Sequence, residues 1–341
     1  MKKAGRRITI VVVCLTFMVG LAISGWANRA SAAESVITIK LTSHLAPSFC
    51  TSIADQKWAD LVTKRTNGRV KFQIFPASQL FSGEEAFNAI SKNKIGGGTI
   101  SETYFGGIRP EWDYVNVPFL MKDWAHIWRA WDAGWKDIIT PAYEANNLHQ
   151  ISPAYATWMG IGGSRAFKMP SDLKGARIRV MGKLQNAWVS ALGGAPVSMA
   201  SSEMYLAMQL GTIDGFITPH QTITARHLEE VTKFWGTTSP FFNSYPMALN
   251  KQLWDSLPKD VQDIMTVAGK EIYRDWLTNM QQEADAAAFK AMTKKRVKLV
   301  DLTAAEFDAW SKASAPVEDI YLKTSGSLGQ KMLEIADKTA E

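Results

Sequence analysis

Near its start this chain runs strand, helix, strand within residues 36–75, an order that few folds accommodate. Val36 to Leu41 alternates with period two and is rich in β-branched side chains, so it reads as a strand. Ile53, Ala54, Trp58, Leu61 and Val62 then recur at helical spacing. Asn67-Gly68 ends that helix in a left-handed turn, which glycine adopts without strain. Val70 to Phe75 is the next strand, and Pro76 stops it. Two strands joined through a helix of this length imply a right-handed βαβ crossover and a parallel pair. An α/β class follows.

The alternation continues. Ser82 with Glu85 three residues on is a capping box that opens a helix over 82–92. Ile95 to Ile100 is a glycine-rich strand, expected to be buried; no Gly-Lys-Ser/Thr follows, so it is not a phosphate loop. Ser101-Glu102-Thr103-Tyr104 then sits at a strand end, where ligands of open α/β sheets gather. Trp124, Trp128, Trp131 and Trp135 fall on one face of a predicted helix and are assigned to packing. Residues 150–158 and 161–168 read as extended and carry the chain into a second lobe. Ala176 to Met181 alternates, with Ile178 and Val180 on one face and Arg177, Arg179 and Met181 on the other. A helix from about Ser202 to Leu210 ends at Gly211, and Ile213 to Ile217 is the strand after it. Residues 258–293 make one long helical stretch; thirty-six residues would span roughly 54 Å, enough to brace both lobes. Val297 to Val300 is the last strand, and Thr303 with Glu306 caps the C-terminal helices.

The first 32 residues read as a cleaved signal peptide rather than as part of the fold. Lys2, Lys3, Arg6 and Arg7 form a basic start, Ile8 to Ile23 carries no charge, and Ala30-Ser31-Ala32 is a small-x-small cleavage site. The apolar run is shorter than the roughly 20 residues that span a bilayer. Arg6-Arg7 raises a twin-arginine export route, but Ile8-Thr9-Ile10 after it favours ordinary secretion. Five of the 38 basic residues lie in this segment, which has no acidic residue; the remainder holds 33 basic against 32 acidic residues, a net charge near +1. The high pI therefore argues for neither nucleic acid nor a membrane surface. Cys14 falls inside the signal and Cys50 stands alone after it, so no intramolecular disulfide is expected, and Cys50 reads as a buried small hydrophobe.

Enzyme signatures are missing. There is no His-Glu-x-x-His, and the five histidines show no metal-ligand spacing, so no metal and no cofactor are expected. Gly162-Gly163-Ser164-Arg165-Ala166 lacks the last glycine of a nucleophile elbow, which leaves a hydrolase acting through Ser164 as a weak rival. The arginines are a better lead, because a guanidinium offers a carboxylate two parallel charge-assisted hydrogen bonds. Arg177 is assigned to solvent; Arg165 and Arg179 are open to either a solvent or a ligand role.

Asp172-Leu173-Lys174-Gly175-Ala176-Arg177-Ile178-Arg179-Val180 resembles a signature of the solute-binding subunits of TRAP transporters, the DctP family. Glu203-Met204-Tyr205-Leu206-Ala207-Met208-Gln209 with Gly211, Asp214 and Gly215 is similar to a second one. Thr66-Asn67-Gly68-Arg69-Val70, Pro118-Phe119-Leu120 and Trp254-Asp255-Ser256-Leu257-Pro258 also resemble family landmarks, in the family's order. The resemblance implies a non-enzymatic two-lobed periplasmic binding protein, each lobe a mostly parallel sheet flanked by helices, bridged by a long helix. Lobe I would comprise 33–161 with about 244–283, and lobe II 162–243 with about 284–341. It implies capture of a small organic acid and its delivery to integral-membrane permease subunits, with no nucleic acid and no membrane insertion after signal cleavage. A periplasmic sensor feeding a receptor would use the same closure.

The resemblance places Arg179 on the substrate carboxylate, Arg165 in the same cleft, and Ser43, His44 and Glu102 in loops from the other lobe. Where the family carries Asn before proline, this chain has Thr218 before Pro219, so a hydroxyl replaces an amide. Trp158, Met181 and Phe216 nearby lead to the expectation of a monocarboxylate with an apolar or aromatic body.

Overall fold

The structure, a computed structural model, describes residues 36–341; the expected signal segment 1–32 lies outside the described residues. Helices pack on two sheets. In the first the strand order is β2-β1-β3-β11-β4, with β1 Ile37–Thr42, β2 Val70–Phe75, β3 Gly97–Thr99, β4 Leu148–Ser152 and β11 Met247–Asn250. β1 runs parallel to β3, whereas β11 is antiparallel to both β3 and β4. The second sheet has the order β12-β9-β5-β8-β6-β7, and β10 also pairs with β5. Its strands are β5 Tyr155–Gly163, β6 Arg177–Val180, β7 Ala195–Ser198, β8 Gly215–Pro219, β9 Phe234–Gly236, β10 Phe241–Ser244 and β12 Lys298–Val300. β6 is parallel to β7 and β8, and β5 is antiparallel to β8, β9 and β10.

Both sheets are mixed because the chain passes between them on extended strands as well as through helices. β4 leads to β5 through Pro153-Ala154, and β10 returns to β11 through Tyr245-Pro246. The Tyr245 N–H donates to the Ala154 carbonyl at 2.8 Å, so the two crossings are pinned to each other. A third crossing is the long helical run Lys259–Lys294, continuous through a π-helical segment at Lys270–Trp276. Its first part packs on β4 and its last part on β5 and β12, so it braces both sheets.

The helix Cys50–Arg65 fixes this brace to the first sheet. Its buried Asp55 accepts from Thr99 Oγ1 on β3 (2.7 Å) and from the Tyr273 hydroxyl on the long helix (2.8 Å). Trp58 adds a bond from Nε1 to the Met265 carbonyl. Asn67 and Gly68 adopt positive φ, as the turn after this helix requires. Capping boxes are present at Ser82 and Thr303.

The tryptophan segment departs from the single helix its spacing predicts. It is Trp124–Ala130, a π-helical turn Trp131–Trp135, then Lys136–Glu144. Gly134 takes φ 144° there, a conformation that breaks the helical register and that side chains resist. The packing role holds: Trp124, Trp131 and Trp135 are buried, and Trp135 Nε1 donates to the Met332 carbonyl at 2.9 Å. The C-terminal segment is one helix, Ala304–Lys338, broken in its regularity at Gly326.

Gly98 marks the tightest approach in the first sheet. A Cβ there would stand 2.2 Å from the Thr42 carbonyl oxygen, two residues before the loop that carries His44. Gly98→Ala is expected to destabilise the fold by roughly 1–3 kcal/mol, the usual range for overpacking. Urea unfolding checks this; an unchanged midpoint would rule out so close a contact.

Candidate functional site

Turns at the ends of both sheets surround one cavity, a void of about 330 Å³. From the first sheet's side come His44, after β1, and Tyr104, in the short turn after β3. Tyr245 comes from the β10–β11 crossing. From the second sheet's side come Met181 after β6, Thr218 on β8, and Thr222 and Arg226 in and just after the helix His220–Ala225. No acidic side chain lines the void.

Arg179 stands directly behind that wall. Strand β6 is buried on both faces, which draws the guanidinium inside: the residue is 0% exposed. Nε donates to the Met199 carbonyl (3.1 Å), Nη1 to the Ile217 carbonyl (3.1 Å) and Nη2 to the Tyr104 hydroxyl (3.3 Å). All three acceptors are neutral, and among the described residues no carboxylate pairs with it. Buried charges are ordinarily paired, so the site carries an uncompensated positive charge. Arg226 adds a second: it is half-buried, donates from Nη2 to the His44 carbonyl (3.1 Å), and likewise has no acidic partner among the described residues. Burial pulls its pKa down, and Arg179 pulls in the same direction.

His44 is enclosed by these groups. Burial, then the Arg226 and Arg179 charges, push its pKa down to about 3, so the ring is neutral. Its Nδ1 is buried without a hydrogen-bond partner. Tyr104 and Tyr245 hold the ring at centroid distances of 6.0 and 5.6 Å.

The structure brings together His44, Met181 and Thr218 at the void, with Arg179 behind Tyr104. Ser43 is buried beside His44 but turned into its own loop, where its hydroxyl accepts from the Leu45 N–H at 3.3 Å. Arg165 is exposed, donates to the Lys174 carbonyl (3.4 Å) and lies over Phe167. Phe216 is packed against Trp235 in the core, 5.6 Å between centroids. Trp158 packs on Trp124 at 5.2 Å and lines a different cleft. Arg177 is exposed and paired with Asp214, as a solvent-facing assignment allows. Ser164 donates to the Asp214 carbonyl (3.0 Å) and not to a base, so no nucleophile is assembled. Arg226, Tyr104 and Tyr245 carry no motif, and sequence reading did not single them out as contacts. His227, Glu229 and Glu230 bring ligand atoms within 4.8 Å of one another, but on a turn outside the cavity, where exposed acidic groups commonly gather without a metal.

Residues 42–324 match the family model for bacterial extracellular solute-binding protein, family 7, or DctP. The chain belongs to this family. It is a TRAP transporter solute-binding protein, a non-catalytic component. The C4-dicarboxylate-binding periplasmic protein DctP of Rhodobacter capsulatus is 27% identical over 91% of this chain and 94% of that protein. A Ralstonia eutropha TRAP solute-binding protein solved with (S)-2-acetolactate is 27% identical, with TM-score 0.82 over 88% of this chain and 99% of that one. A Desulfovibrio salexigens TRAP solute-binding protein with orotic acid, 24% identical, shares the fold at TM-score 0.84 over 89% and 98% of the two chains. Among the described residues no helix is long and apolar enough to cross a membrane.

Glu102 takes a different place in this solute-binding protein from its neighbour Tyr104. Its buried carboxyl accepts from the Tyr143 hydroxyl (2.9 Å) and the Tyr114 hydroxyl (3.0 Å), away from the void. Burial raises its pKa to about 7, more than the tyrosine hydrogen bonds lower it. An unfolded Glu titrates near 4.3. The folded chain therefore keeps a proton that the unfolded chain releases between about pH 4 and 7, and stability falls as pH rises through that window. Glu102→Gln, neutral at every pH, is expected to lessen the drop in melting temperature between pH 5 and pH 8 by a few degrees. Parallel pH profiles for variant and wild type would show that Glu102 is not the group responsible.

Proposed function

We propose that the protein captures a small organic acid in this cavity and hands it to the membrane-embedded subunits of a TRAP transporter. The observation that carries this reading is the Arg179 guanidinium, sealed from water with no acidic partner, behind a cavity without acidic residues. Three of its five N–H donors are taken by neutral acceptors, which leaves two. The Tyr104 hydroxyl accepts from Arg179 and has its own hydrogen to give to a carboxylate oxygen. Met181, Thr218 and His44 flank that position. The relatives named for C4-dicarboxylate, 2-acetolactate and orotic acid all carry acids, which supports the same class here.

The capture mechanism follows from where the groups originate. Lobe I is taken as 33–161 with about 244–283, and lobe II as 162–243 with about 284–341. Tyr104 and His44 come from the first, Arg179, Thr218 and Arg226 from the second. An acid that touches both sets binds best when they are close, and so shifts the population toward the closed form that the permease subunits receive. The basic, apolar and small-residue pattern of 1–32 supports export to the periplasm, and the Rhodobacter relative is named as periplasmic.

Titration calorimetry with a panel of short carboxylic acids tests the reading. Arg179→Ala is expected to weaken the best acid at least roughly 100-fold, since removing one member of a desolvated charge pair costs several kcal/mol. Arg179→Lys, which keeps the charge but not the fork, should retain part of the affinity. Near-unchanged binding in a folded Arg179→Ala protein would remove Arg179 from the site.

A further inference from the structure

The geometry points to Arg226 as a second anion-binding residue, which selects a ligand carrying two acidic groups separated across the cavity. This rests on the organic-acid reading above and goes further in assigning a residue and a charge state. Arg179 and Arg226 approach the void from different elements. The first lies on β6 behind Tyr104; the second follows the helix His220–Ala225 and itself lines the void. Only one Arg226 hydrogen bond goes to protein, from Nη2 to the His44 carbonyl at 3.1 Å. That bond fixes the plane of the fork and leaves its other N–H groups for a ligand. Neither arginine has a carboxylate partner among the described residues, so a ligand with one charge neutralises only one of them.

An independent sign comes from His44. It is 4% exposed, lines the void, and has an unpartnered Nδ1. A neutral imidazole offers one N–H and one lone pair, so it can hydrogen-bond a polar ligand between the two cations without adding charge. The remaining walls agree. The expectation of an apolar ligand body relied on Trp158, Met181 and Phe216, and of these only Met181 faces the void. Thr218, Thr222, Tyr104 and Arg226 line it with polar groups instead. At about 330 Å³ the space is at the small end for ligand sites, which suits a short chain with acidic groups at both ends.

The test is calorimetry on the exported full chain with length-matched acids: succinate against butyrate, glutarate against pentanoate, and adipate against hexanoate. Wild type is expected to prefer the better-fitting diacid over its monoacid by roughly 10- to 100-fold, the range for one charge-assisted contact. Arg226→Gln should bring the diacid to the level of the monoacid and leave the monoacid unchanged. Arg226→Lys should restore part of the preference, and melting curves confirm that each variant is folded. Equal losses for both acids in Arg226→Gln, no loss for either, or a wild type that prefers the monoacids would overturn the assignment of Arg226 while leaving acid capture intact. If no acid of either series binds the folded wild type, acid capture itself falls, and this inference with it.

Discussion

An arginine that cannot lose its proton sits in the interior without a counter-charge, and the rest of the site is arranged around that fact. The neighbouring acids cannot offset it by burial alone. Glu102 and Asp55 are pushed to about 7 and Asp113 to about 6, each chiefly by burial, so enclosure favours their neutral forms. Hydroxyl donors complete the effect: Tyr114 and Tyr143 on Glu102, Thr99 and Tyr273 on Asp55. Carboxyls in the interior are thus hydrogen-bonded as near-neutral groups, whereas the guanidinium keeps its full charge. The asymmetry leaves a positive field at the void between the sheets, the condition under which an anion gains most from entering.

Holding such a charge requires a backbone that brings carbonyls to it at fixed positions. Ile217 is on β8, registered beside β6, and Met199 lies just beyond β7, which pairs with β6 on the other side. The three strands deliver the two acceptors from opposite flanks. Close packing of the frame does the same for Tyr104: Gly182 approaches the Thr103 carbonyl so closely that a Cβ would stand 2.2 Å from it. The site's precision thus comes from strand register and tight backbone contact, and less from the loops that carry its side chains.

That division explains what could be read in advance. Strand periodicity, capping boxes and the Asn67-Gly68 turn are local signals, and the corresponding elements form where they predict. Helix continuity is less local: Gly134 and Gly326 interrupt regular stretches because the packing around them uses conformations that only glycine takes easily. At the site, Arg179 was legible through the resemblance, and Thr218 through its departure from it. Trp158 illustrates a parity problem. Successive residues of β5 face opposite ways, so Trp158 packs on Trp124 while Met159, one residue on, lies near Gln185. Phe216 lies on a strand buried on both faces, where alternation no longer separates core from cavity. Arg226 follows a short polar helix with no apolar pattern, and only the left-handed His227 after it turns the chain there. Its position depends on tertiary contact, which no spacing encodes.

The bonds that join the two halves around the cavity set the scale on which a ligand acts. Arg179 to Tyr104, Arg226 to the His44 carbonyl, Gln185 to Asn116 and Gln221 to the Cys50 N–H each link a first-sheet segment to a second-sheet one, at 3.0–3.3 Å. Each is worth about 0.5–3 kcal/mol net, the arginine bonds at the upper end. The crossings at Pro153-Ala154 and Tyr245-Pro246 and the long helix are covalent and stay whatever the cavity holds. Only the four polar links distinguish an approach of the halves from a separation. An anion that takes up the unused donors of both arginines adds bonds of the charged kind to a set of four, two of which are neutral. Its contribution is then as large as the protein's own, and this is what allows a small solute to decide the conformation of a chain of 341 residues.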